Sequence, residues 1–226
     1  MSALSFLTPA SSSDQVAAKT AMERAARAAG ARFERRDGWN VAVGYADPAA
    51  ERSRVSQTVA FADCSWMRKL ELHGAAVGSL GHAGVAAGVA ELRSDGAWWC
   101  RVTPSRALVL GGDAGADMPA LPDGVSSVDV TCGLAALALL GPGCRELLAR
   151  FCAIDVRPAL APVGAFRPGS VARTPGYVLV EGDDRLLVMV GWALGEYLWQ
   201  VVSDAAEHLA GGPVGADVLA QEREHA

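Results

Sequence analysis

The sequence predicts an α+β fold: two related halves of antiparallel sheet with helices on one face. Three observations carry this reading. The stretch from Asp63 to Gly74 has a partner running from Asp129 to Gly141. Each copy sets an acidic residue, a hydroxyl residue two positions later (Ser65, Thr131) and an alternating Leu pair (Leu70 and Leu72, Leu137 and Leu139) ahead of its Gly. The copies are offset by one residue between the Asp and the Leu pair, and a unit repeated within one chain constrains the fold more than a single motif can. Short runs of strand-period alternation recur on both sides of the repeat, bounded by Gly, Pro and Asp. Finally, Ala193 to Leu209 holds Leu194, Leu198, Trp199, Val201, Val202 and Leu209 at helical spacing, an amphipathic helix that closes the second half.

The elements follow in chain order. Residues 1–14 are rich in Ser, Ala and Pro and read as a mobile arm. Gln15 to Ala29 favours helix and Gly30 caps it. Arg32 to Tyr45 holds Phe33, Trp39, Val41, Val43 and Tyr45, a strand pattern with an Asp37-Gly38 turn. Asp47-Pro48 starts a second helix with Glu51 in its first turn. Thr58 to Gly74 carries the first repeat copy. There Lys69, Glu71 and His73 alternate with Leu70 and Leu72, the pattern of a half-buried strand with the polar set outward. The Gly-rich tract from Gly74 to Gly88 supports only a short, weak helix. Val89 to Leu92, Trp98 to Val102 and Ala107 to Leu110 read as a small meander.

Residues 111–124, with two prolines and several Gly and Asp, read as the linker between a first half (15–110) and a second (125–219) of one domain. The second half opens with strands at Val125 to Val130 and Ala136 to Leu140. A helix follows from Gly141-Pro142 through Cys144, Leu147, Leu148 and Phe151. Pro158 to Pro168 reads as a loop. Val171 to Arg173, Tyr177 to Glu181 and Arg185 to Val190 read as strands, the last two joined at Gly182-Asp183-Asp184. Gly211-Gly212-Pro213 ends the long helix, and residues 220–226 read as a frayed tail.

Composition narrows the function classes. With 51% apolar and 20% charged residues in 226, the chain can bury an ordinary globular core. A net charge of -5 argues against nucleic acid or an acidic membrane as partner, since both need a basic face. Arg24, Arg27, Arg32, Arg35 and Arg36 read as solvated arginines rather than as a binding patch. Five scattered cysteines lack CxxC spacing and suggest no metal set, so free buried thiols in a reducing compartment are expected. The N-terminus lacks secretory character and the apolar runs are too short to span a bilayer, which makes the expectation cytoplasmic. His73 and His82 have no nucleophile elbow near them, and the Gly-rich tract contains neither GxGxxG nor Gly-Lys-Thr.

A family resemblance enters through ordered motifs. Gly30-Ala31-Arg32-Phe33, Gly38-Trp39, Tyr45, Glu51, Val55 and Asp63-Cys64-Ser65 with Lys69 and Gly74 resemble the opening of the glycine-cleavage T-protein (aminomethyltransferase) family. Asp129-Val130-Thr131, Leu137 to Pro142, Ala172-Arg173-Thr174, Gly176-Tyr177, Leu198-Trp199 and Gly212-Pro213-Val214-Gly215 continue that family's order. The resemblance implies a T-protein-like folate-binding fold without the C-terminal barrel domain. Two departures stand out. The family's paired-acid strand is reduced to Gly88-Val89-Ala90-Glu91-Leu92-Arg93, and its Thr-Gly-Glu after Gly-Tyr is replaced by Val178-Leu179-Val180-Glu181. In size and pattern the chain is similar to the gamma subunit of heterotetrameric sarcosine oxidase, which implies flavoprotein partner subunits.

Folate one-carbon chemistry needs a carboxylate on the aminopterin edge and an acid or base near the reacting nitrogens. The resemblance therefore makes Glu91, Tyr177 and Glu181 the catalytic candidates, and Trp39, Tyr45, Asp63, Arg173, Tyr177 and Glu181 the lining of a folate or substrate pocket. Tetrahydrofolate is the cofactor it implies, and no metal is expected. Asp63 and Asp129, being duplicated, read as caps on neighbouring backbone N–H groups rather than as catalysts. Three functions stay open: a small subunit beside a flavin-dependent amine oxidase, a stand-alone enzyme with altered chemistry in the same cavity, and a structural interaction module.

Overall fold

A computed structural model describes residues 17–45, 47–80, 88–112 and 121–224. The expected N-terminal arm, His82 with part of the Gly-rich tract (81–87), and the middle of the linker (113–120) lie outside the described residues. Three sheets form the frame. A small one has the order β1-β3-β2, built from β1 (Ala18–Lys19), β2 (Arg32–Arg36) and β3 (Trp39–Gly44). A six-stranded sheet places β4 (Ala60–Asp63), β10 (Leu134–Leu140), β11 (Phe166–Val171), β12 (Thr174–Gly182), β13 (Arg185–Gly191) and β14 (Gly212–Pro213) in the order β11-β12-β13-β10-β4-β14. A five-stranded sheet places β5 (Lys69–His73), β6 (Ala90–Leu92), β7 (Ala97–Thr103), β8 (Arg106–Gly111) and β9 (Ser126–Asp129) in the order β6-β7-β8-β5-β9.

The core is layered. Helices α1 (Glu23–Ala28), α3 (Cys144–Ala149) and α4 (Gly195–Glu207) cover one face of the six-stranded sheet, where Leu147, Leu198, Trp199 and Val202 meet Phe61, Leu137, Leu139 and Val188. Trp199 stands edge-on to Phe61 with ring centroids 5.0 Å apart, a favoured aromatic geometry. The opposite face, with Ala62, Ala138, Leu179 and Met189, packs on Cys100, Leu108 and Leu110 of the five-stranded sheet. Leu70, Leu72, Val109 and Trp99 on the far side of that sheet form a separate cluster under Val77. The α+β class is as expected, but the helices are not confined to one face: Val55, Val218 and Leu219, from two further helices, join the cluster on the opposite face. Each large sheet draws strands from both repeat copies.

Several boundaries differ from the sequence reading. The expected helix from Gln15 contracts to α1, because Ala18 and Lys19 pair in parallel with Trp39 and Asn40 and so hold that segment extended. The turn at Asp37-Gly38 is sharper than an entry to one strand. Both residues have positive φ (48 and 78), the signature of a two-residue hairpin, and it joins β2 to β3. α2 (Pro48–Gln57) begins as expected, with Asp47 accepting from Ala49 N at 2.9 Å. The single strand expected over Thr58–Gly74 is two, β4 and β5, in different sheets. Ala172 and Arg173, expected in a strand, instead form a positive-φ turn between β11 and β12. β11 also occupies the end of the expected Pro158–Pro168 loop, and Pro168 is tolerated there because β11 is an edge strand. α3 stops before Phe151, and α5 (Ala216–Glu224) extends into the stretch read as a tail.

Candidate functional site

The repeat forms two reciprocal strand crossings. At the first, β4 pairs antiparallel with β10, placing Asp63 opposite Leu137. At the second, β5 pairs antiparallel with β9, placing Leu70 opposite Asp129. Asp63 Oδ1 accepts from Ser65 N at 2.9 Å and Asp129 Oδ1 from Thr131 N at 2.8 Å, the same Asx turn twice. The Ser65 hydroxyl accepts from Ala136 N at 3.0 Å, and the Thr131 hydroxyl from Lys69 N at 3.0 Å. Cys64 N donates to Ala136 O at 3.0 Å and Val130 N to Lys69 O at 2.9 Å. Lys69 and Ala136 are therefore equivalent positions, and the one-residue offset falls in the loops before them. Both terminal glycines are sterically required. A Cβ on Gly74 would lie 2.1 Å from Gly124 O, and one on Gly141 would lie 2.6 Å from Val55 O and 3.0 Å from Thr58 O.

Lys69 breaks the symmetry. Its alternation with Leu70 and Leu72 is as expected, and His73 at the strand's end is exposed as expected, but Lys69 and Glu71 on the same face are not outward. Leu70 and Leu72 fill the far cluster, so the polar set turns toward the six-stranded sheet, and Lys69 is fully buried there. Its ammonium donates to Ser65 O at 2.8 Å and Met67 O at 2.7 Å, tying down the turn between β4 and β5. Burial lowers its pKa to about 8, with nearby acidic groups, Asp63 among them, opposing the shift.

Around that turn lies a buried polar cluster. The Thr20 hydroxyl donates to Asp63 Oδ2 at 2.5 Å, so both carboxylate oxygens are engaged by protein. Burial pushes the Asp63 carboxyl up, against the stabilising bonds from Thr20 and Ser65. Burial also raises the Tyr45 phenol, with Asp63 and Glu51 adding to the effect. Glu51, read as a first-turn helix acid and as part of the family pattern, is 1% exposed. It accepts from Tyr45 N and from Gly215 N, each at 2.7 Å, which clamps β3 to the start of α5. Gly215 is required there, because a Cβ would lie 2.1 Å from Val43 C and O. Trp39 packs beside this region on Val41, Val43, Trp66 and Trp192, its ring centroid 6.0 Å from that of Trp192.

The remaining candidates sit elsewhere. Tyr177 stacks on Phe166 with centroids 5.4 Å apart, and its hydroxyl accepts from Arg106 Nη2 at 3.4 Å. Arg106 also binds Glu71, which lies 2.8 Å from His73 Nε2, making a half-buried polar group between the two large sheets. Glu181 is ion-paired with Arg185 at 2.8 Å, with side chains 5% and 13% exposed. Glu91 is half-buried, 3.8 Å from Arg93. Arg173 is exposed on its turn. Trp39, Tyr45 and Asp63 thus gather in one region, Tyr177 and Glu181 share β12, and Arg173 joins neither. Sequence reasoning missed Thr20, which carries no motif and lay in a misassigned helix. It also missed Lys69, whose place in the Asp-x-Ser-x-x-x-Lys pattern was the available signal.

Among the described residues no group of three or more His, Cys, Asp or Glu is placed to hold a metal. Nor is any described helix long and apolar enough to cross a membrane. All five cysteines are free. Four are buried, and Cys132 is exposed, contrary to the expectation of burial.

The fold is that of the T-protein-like class, bearing out the resemblance. Residues 122–208, from β9 through α4, match the family model described as sarcosine oxidase, gamma subunit family. A chain of heterotetrameric sarcosine oxidase from Corynebacterium sp. U-96, solved in complex with pyrrole 2-carboxylate, aligns with a TM-score of 0.62 and 16% identity over 84% of this chain and 95% of its own. Glycine cleavage system aminomethyltransferase T from Bartonella henselae aligns with a TM-score of 0.68 and 15% identity over 89% of this chain, which spans 60% of that enzyme's chain. No curated protein sequence matches the chain.

Proposed function

We propose that the chain is the small T-protein-like subunit of a hetero-oligomeric, sarcosine-oxidase-like amine oxidase and works beside a flavin-bearing subunit. The observation that carries this reading is the family match over residues 122–208. Size supports it: the chain aligns with 95% of a chain of the heterotetramer but 60% of the aminomethyltransferase. The carboxylates support it too. A pterin grip needs a carboxylate whose oxygens are free for two donors. Glu181 gives one oxygen to Arg185 and is only 5% exposed, and Asp63 is held by Thr20 and Ser65 on both oxygens. These residues do not fit tetrahydrofolate as a tightly held ligand of the isolated chain, and no step through folate is drawn for it.

A stand-alone enzyme would instead require Glu91, Tyr177 or Glu181 as acid–base groups. Titration of the purified chain with tetrahydrofolate, followed by intrinsic tryptophan fluorescence, separates the two readings. The subunit reading expects no saturable binding and no aminomethyl transfer. Tight binding with transfer by the isolated chain would overturn it.

A further inference from the structure

The two crossings differ in what lies on their outer edge. β14 runs parallel to β4 and pairs Gly212 with Ala60 and Pro213 with Phe61. Gly212 N donates to Val59 O at 3.3 Å and Val214 N to Phe61 O at 2.9 Å. Under the internal correspondence that aligns Asp63 with Asp129, Val59 and Phe61 map to Val125 and Ser127. β9 is the terminal strand of its sheet among the described residues, all four of its residues are exposed, and Val128 is 51% exposed. Val130 N points inward, onto Lys69 O. By strand alternation Ser127 and Asp129 therefore turn their N–H and C=O groups away from β5. β9 is short and ends in the charged Asp129, but it carries no Lys, Pro or bulge to close its edge.

We propose that this edge receives an extended segment of a partner polypeptide, laid parallel to β9 as β14 is laid parallel to β4, with its N–H groups on the carbonyls of Val125 and Ser127. This is strand addition, in which main-chain hydrogen bonds provide the affinity. The occupant is a different chain rather than a second copy, because a second β9 would bring its own Asp129, and no Lys or Arg, to an edge that is already acidic. Asp123 and Asp129, both exposed, stand at the two ends of the edge and favour an incoming segment with Lys or Arg. β9 also lies within the matched stretch 122–208. The proposal rests on the subunit reading and names where the partner docks.

The test uses the full chain purified with its partner, the partner identified by mass spectrometry and flavin absorbance. Amide hydrogen exchange compares Ser127 and Asp129 in the free chain and in the complex, and both are expected to exchange rapidly when free and slowly when bound. Ser127→Pro removes an outward N–H that β5 does not use, and Val128→Lys adds a charge that repels a basic segment. Each is expected to weaken the complex by on the order of tenfold or more while thermal melting of the free chain is unchanged. A stable complex in which these amides stay unprotected and both variants bind normally overturns the docking site and leaves the subunit reading standing. Failure of the chain to associate with any flavoprotein overturns both. Protection that arises from self-association of the purified chain overturns the choice of partner.

Discussion

The crossing at Asp63 and the crossing at Asp129 use one backbone device in two surroundings. Asp63 is buried, its strand is covered by β14, and its second oxygen is taken by Thr20. Asp129 is exposed on an open edge and holds only its own turn among the bonds described. Equal hydrogen-bond geometry therefore carries unequal free energy, since an interrupted bond at the buried crossing leaves orphaned groups that water cannot reach. Lys69 links the two. Its backbone belongs to the second crossing, and its ammonium closes the turn of the first.

Substitutions can break this comparison in order of effect. Lys69→Ala leaves a cavity and two carbonyls without their donor, and is expected to cost about 3–4 kcal/mol in chemical denaturation. The pH dependence is next. With Lys69 at about 8 in the folded chain and its ordinary value of 10.5 unfolded, the unfolded state binds more protons between those limits. Stability should therefore rise with pH from about 8 to 10.5, and a folded-state pKa near 8 puts the gain on the order of 3 kcal/mol. The rise should vanish in Lys69→Met, which calorimetry across that window would show. A wild-type curve flat over the same range would mean that the ammonium is not desolvated.

Ser65→Ala strands the buried Ala136 N–H and should cost about 1–3 kcal/mol. Thr131→Ala, its counterpart at the second crossing, strands the N–H of fully buried Lys69 and should likewise cost about 1–3 kcal/mol. Asp129→Ala, on the exposed edge, should cost about 0.5 kcal/mol, measured by the same denaturation. A penalty at exposed Asp129 equal to that at buried Ser65 would show that burial does not distinguish the two crossings.

Much of the fold was legible because the repeat fixes it locally. The Asp-x-Ser and Asp-x-Thr turns, the Leu pairs and the glycines that end them all act within a few residues, and their reading as backbone caps holds. What failed depends on which layer covers which face. Alternation placed Lys69, Glu71 and His73 on one side of a strand but could not say that a second sheet lies over that side. The helix expected from Gln15 failed for a related reason: parallel pairing of Ala18 and Lys19 with β3 is a distant partner that an Ala-rich segment does not announce. At the candidate site, Tyr45 and Asp63 were visible through the family pattern. Thr20, which completes the Asp63 carboxylate from 43 residues away, has no local signal.

The subunit reading is tested most directly by the molar mass and flavin content of the native assembly that contains the full chain, measured by light scattering with absorbance detection. The expected result is a hetero-oligomer that carries this chain at a fixed ratio to a flavin-bearing chain. A flavin-free species composed of this chain alone, active in aminomethyl transfer to tetrahydrofolate, would contradict it.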